Sequence, residues 1–135
     1  MLRKDYILRQ LEEFGKVMAV ILGFKKQLDW EEFEKEIYKA SLKFTSLEIN
    51  HVEGLNEEAF EKEVLSNPAL TLDQLKILAD LLFERMNLYI VRNEEEKYEK
   101  LKAKCLSLYK FIQNSHTENE FDMNVHYKLE ALKKL

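Results

Sequence analysis

Only three glycines and one proline are spread over 135 residues, and the chain between them is patterned for helix almost from end to end. Glycine and proline are the residues that most readily interrupt helices. Gly23, Gly54 and Pro68 fall where the apolar pattern pauses, and Gly15 falls inside it. Between the pauses, apolar residues recur three and four positions apart, the spacing that keeps them on one helix face. No useful stretch alternates with the period of two that a strand needs. The expectation is an all-α fold of antiparallel helical hairpins, five long helices plus one short, in a single domain over residues 1–135.

The segments follow from their stripes and end signals. A first helix, about residues 4–22, carries Ile7, Leu11, Phe14, Met18 and Ile21 on one face, with Gly23 as its terminating residue and Lys25 and Lys26 at its negative end. A second opens at Asp29 with Glu32 three residues on, an acidic form of the capping box. Its stripe is Trp30, Phe33, Ile37, Ala40, Phe44 and Leu47, and residues 50–54 close it. The short helix, about residues 57–65, has Asn56 as N-cap, a Leu55–Phe60 staple, and Pro68 after its end. The fourth starts at the box Thr71–Gln74 and carries Leu72, Leu75, Ala79, Leu82, Met86 and Tyr89. The fifth follows a box at Asn93–Glu96, with Tyr98, Leu101, Cys105, Leu108 and Ile112 inward. The last begins near Glu118 behind a Thr117–Glu120 box and presents Phe121, Val125, Leu129 and Leu132.

Composition limits the functional classes. Twenty-one basic against 25 acidic residues give a net charge of −4, which argues against a general nucleic-acid binder. One cysteine, Cys105, cannot form an internal disulfide, so nothing points to an oxidising compartment. The N-terminus starts like a signal peptide, but Glu12 and Glu13 precede the apolar run 17–22. That run is far shorter than the roughly 20 residues of a membrane span. A cytoplasmic protein without a membrane span is expected.

Leu82, Met86, Tyr89, Tyr98, Cys105 and Leu106 fall at the relative spacings of key tetratricopeptide-repeat positions, although Met86 and Tyr98 stand where that repeat prefers small residues. Three passages extend the likeness: residues 5–12 running into 20–25, residues 72–75 leading into 78–82, and residues 98–103 followed by 106–109. On these, the chain resembles a family of uncharacterised bacterial proteins, a domain of unknown function with tetratricopeptide-like helices. The resemblance implies a tetratricopeptide-like bundle and transfers no activity.

Candidate sites are few. Asp122, His126 and Glu130, spaced by four, share one helix flank, and carboxylate and imidazole can ligate zinc or iron. A solvated flank with a helical ion pair is the plainer reading, so no metal, cofactor or catalytic residue is assigned. His51 and His116 fall in expected loops without a visible nucleophile. Cys105 reads as core filler. The acidic pairs at 31–32 and 57–58, and the run 94–96, sit where carboxylates offset helix dipoles. Tyr38 and Tyr109 fall off the main stripes, as exposed interface anchors would. Leu8, Ala19 and Leu22 form a second apolar row on the first helix, past Gly15. The reading is a non-enzymatic protein-interaction or scaffold module with an unknown protein partner, forming a homodimer through the first helix. The alternative is a small-ligand-binding bundle or enzyme with an interhelical pocket.

Overall fold

The structure is a computed structural model that describes residues 2–115 and 122–135, with side chains from residue 5 onward. The Thr117–Glu120 box, Phe121 and His116 lie outside the described residues. Among those described, the chain is all-α. Its elements are α1 (Leu2–Lys26), α2 (Trp30–Thr45), α3 (Ile49–Glu53), α4 (Glu57–Phe60) running into a π-helical turn (Glu61–Leu65), α5 (Leu72–Val91), α6 (Glu95–Asn114) and α7 (Met123–Lys133).

Three starts follow the local chemistry of the sequence. Asp29 accepts from the Glu32 N–H, and Asn56 accepts from the Ala59 N–H. Thr71 and Gln74 complete both halves of a capping box. Each satisfies N–H groups that the first helical turn leaves without partners.

Other boundaries differ from the sequence expectation. Gly23 does not terminate α1; the helix continues to Lys26, and Leu28 takes the left-handed turn at φ 61°. The extra turn carries Phe24 onto the core and Lys25 to Glu84, contacts that outweigh the roughly 1 kcal/mol helix penalty of a glycine. Residues 49–53 form α3 instead of merely ending α2, because Ile49 and Val52 are buried there. Asn93 does not cap α6; it is left-handed at φ 57°, and Glu94 is the N-cap residue. The last helix starts at Met123, capped by Asp122, which accepts from the Val125 N–H.

The main helices pack in sequence, α1 on α2, α2 on α5, α5 on α6 and α6 on α7. Short connections join α1 to α2 and α5 to α6 as antiparallel hairpins: Phe14 meets Phe44 edge-on across the first, and Tyr109 reaches Asp80 across the second. Gln74 bonds the Phe44 carbonyl and Arg92 pairs with Glu34, so α2 and α5 are antiparallel too. Lys25 and Lys128 both approach Glu84, while Lys76 pairs with Asp122. These ties set α7 parallel to α5. The core is continuous, and Phe33, Phe44, Leu75, Leu82 and Leu101 all lie in it as their stripes require.

Candidate functional site

α5 is almost wholly apolar inside, yet Asp80 and Glu84 stand one turn apart on its flank between α1 and α7. Glu84 is only 5 % exposed. A carboxylate that deep needs partners. It has Lys25 of α1 at 2.8 Å and Lys128 of α7 at 4.0 Å. Lys128 also lies 4.0 Å above the Phe83 ring, which attracts a cation through its π face. One carboxylate thus ties three helices together.

Asp80 accepts a 2.6 Å hydrogen bond from the Tyr109 hydroxyl. Burial raises the Asp80 carboxyl above its usual range, against the lowering pull of Tyr109 and Lys128. Burial and the Asp80 charge push the Tyr109 phenol well up. The phenol therefore stays protonated and donates. Tyr109 is fully buried and is no interface anchor. It lies off the main stripe of α6 yet faces α5, where its ring meets that of Phe83 edge-on and its hydroxyl reaches Asp80.

On the flank of α7, both carboxylates already hold lysines. Asp122 caps the helix and holds Lys76 at 2.8 Å. Glu130 pairs with Lys133 at 3.6 Å. The His126 ring lies 6.1 Å from that of Tyr127. Among the described residues, no group of three or more His, Cys, Asp or Glu side chains could hold a metal ion. His51 lies in α3, paired with Glu63 at 3.0 Å. Cys105 is buried within the core, and burial drives its thiol far up, which disfavours the thiolate.

Two of the surfaces left open among the described residues carry side chains that the sequence singles out. On α1, Leu8 is 50 % and Leu22 42 % exposed, and Gly15 and Ala19 between them are exposed as well. A Cβ built on Gly15 meets nothing within 4 Å. Tyr38, 38 % exposed on α2, edges a recess with Arg85 and Asn50. A second, smaller recess of about 150 Å³ lies between the N-terminal halves of α1 and α5, lined by Tyr6, Gln10, Asp73 and Ile77 among others.

The sequence reading missed Asp80, Glu84 and Lys128. A signal existed: two acids four residues apart in the apolar middle of α5, with Leu81, Leu82 and Phe83 between them. Their lysines come from distant segments, and no local pattern names them. No helix among the described residues is long and apolar enough to cross a membrane. Against known protein families, curated proteins and solved structures, the chain finds no match.

Proposed function

We propose that the chain is a non-enzymatic protein-interaction module of tetratricopeptide-like packing, and that it self-associates as a homodimer through α1. The uncovered row Leu8, Gly15, Ala19 and Leu22 carries this reading. The row is self-complementary. Leu8 and Leu22 each stand seven residues from Gly15, so an antiparallel pair crossing at Gly15 sets each Leu8 against the other copy's Leu22. The same pairing brings Asp5 at one end of α1 toward Lys26 at the other, and it opposes the two helix dipoles. The glycine lets the backbones approach closely. The sequential helix packing, each hairpin stacked on the next, supports the tetratricopeptide-like part and the likeness to the uncharacterised bacterial family. A buried, unpaired Cys105 fits a reducing cytoplasm.

Sedimentation equilibrium at micromolar concentration tests the dimer. The expected result is twice 16.2 kDa, falling to the monomer in Leu8→Glu. A monomer in the unsubstituted chain overturns it.

The alternative, a ligand-binding bundle or enzyme, draws on the desolvated Asp80 beside Tyr109 and Lys128. Desolvated acids do cluster at active sites. Here the groups bond one another, and the recesses described above lie elsewhere. A ligand that shifts the amide signals of α5 and α7 together would favour that alternative.

A further inference from the structure

We propose that α7 is a removable strap, latched onto α5 by two ion pairs of opposite sense, which lifts off as a unit while α1 to α6 stay folded. The strap is independent of the dimer on α1. Among the described residues, α7 packs closely only on α6, and its buried side chains are Val125, Leu129 and Leu132. Lys102 of α6 adds an exposed hydrogen bond to the Leu135 carbonyl beyond the end of α7. The ties from α7 to α5 are made by charged side chains.

At the start of α7, Asp122 accepts from Lys76 at 2.8 Å. Further along, Lys128 reaches Glu84 at 4.0 Å and lies 4.0 Å above the Phe83 ring. All four charged side chains are largely buried, so water and salt screen these pairs less than exposed ones. The two pairs point opposite ways. Along α5 a cation at Lys76 is followed by carboxylates at Asp80 and Glu84, while along α7 a carboxylate at Asp122 is followed by a cation at Lys128. The two helices run parallel, so sliding α7 by one turn takes Asp122 from Lys76 to Asp80, acid against acid. Three apolar residues spaced by four and three fit more than one such position; the charges do not. The latch therefore sets the register of α7 as well as its hold.

The rest of the fold stays satisfied when α7 leaves. Glu84 keeps Lys25 of α1 at 2.8 Å, and Asp80 keeps the Tyr109 hydroxyl at 2.6 Å. Neither carboxylate is left orphaned, which is the usual penalty for breaking a buried pair. Lys76, Asp122 and Lys128 pass into water, where charged groups are well solvated. Opening thus costs two ion pairs and the contact of three apolar side chains, and it bares the apolar face of α7. Salt weakens the latch, and a charged partner that binds only the lifted form draws the population toward it.

Native-state hydrogen exchange of the full chain, read amide by amide, tests the strap. Amides of residues 127–133 should exchange about tenfold faster, or more, than those of residues 78–89 in α5, through an opening that depends weakly on denaturant. Raising salt from about 0.05 to 0.5 M should speed exchange in α7 several-fold. Lys76→Gln/Lys128→Gln should speed it roughly tenfold and remove most of the salt effect. Lys76→Arg/Lys128→Arg keeps both charges and should restore slow, salt-dependent exchange. Leu8→Glu should leave all of this unchanged even if it dissociates a dimer, which separates the two proposals. Equal protection of α7 and α5 overturns the strap. Exchange in α7 that neither salt nor the glutamine variant alters overturns the latch. The same gain in the glutamine and arginine variants overturns it too, because packing of the lysine stems would then be what holds α7. Circular dichroism shows whether the glutamine variant folds; if it does not, the salt dependence of the unsubstituted chain decides alone.

Discussion

Asp80 and Asp122 both lie near lysines at the α5–α7 contact, yet they titrate in opposite senses. Burial raises Asp80, and its partners only partly offset that. Burial also acts on Asp122, but the Lys76 ammonium and the Val125 N–H outweigh it and hold that carboxyl below its usual range. The native state therefore binds the Asp80 proton more tightly than the unfolded chain, and the Asp122 proton less tightly. By linkage, the Asp122 contribution is present above the ordinary carboxyl range and is lost as pH falls through its lowered value. The Asp80 charge costs stability above its raised value, and that cost disappears in acid. Asp122→Asn should then destabilise at pH 7 by about 1 kcal/mol, from the lost Lys76 pair and a weaker cap. Asp80→Asn should be neutral or stabilising at pH 7, because the amide oxygen still accepts from Tyr109. Urea titrations at pH 7 and at about pH 3 check both signs, and both differences should shrink in acid. A strongly destabilising Asp80→Asn at pH 7 would mean that the carboxylate charge is needed for stability. Tyr109→Phe leaves Asp80 without its donor and should cost about 1–3 kcal/mol.

At the scale of elements, what could be read in advance was what the neighbouring residues decide. Asp29, Asn56 and Thr71 cap helices because the N–H groups they satisfy lie three residues away. The stripes through Phe33, Phe44 and Leu82 face the core because four-residue spacing repeats regardless of what packs on them. Gly23 and Tyr109 depart from the sequence expectation for the opposite reason. The helix continues through Gly23 because Lys25 has a partner 59 residues away. Tyr109 is interior because its ring and hydroxyl meet Phe83 and Asp80 of α5, the latter 29 residues away. Neither fact exists within any local window. The open flank at Gly23 makes a direct prediction. A Cβ there meets nothing within 4 Å, and the residue is helical. Gly23→Ala should therefore stabilise the fold by about 0.5–1 kcal/mol, chiefly by restricting the unfolded chain. Chemical denaturation measures it. A loss of stability would mean that the end of α1 needs glycine's freedom after all.

Across the whole molecule, helices packed in chain order behave differently from helices gathered round one centre. Each helix depends mainly on its neighbours, so the ends can open without the middle. α7 is the short end helix, held on α6 by Val125, Leu129 and Leu132 and on α5 by Lys76 and Lys128. Cys105 of α6 reports on it. The thiol is fully buried, and the charges that act on it include Lys128 of α7 as well as Asp80 and Lys104. A thiol pushed up by burial does not react until it is exposed. The prediction is that lifting α7, the end helix whose Lys128 acts on the thiol, uncovers it. Labelling of Cys105 by a thiol reagent in native buffer should therefore run faster than global unfolding allows, with a weak dependence on denaturant. Leu129→Ala should speed it by roughly 30-fold, the factor for about 2 kcal/mol. Phe44→Ala, at the α1–α2 end, should lower global stability by about 2–5 kcal/mol and leave native labelling unchanged. If Phe44→Ala accelerates labelling as much as Leu129→Ala does, the thiol is reached only when the entire chain unfolds. In that case the sequential packing carries no independence between its ends.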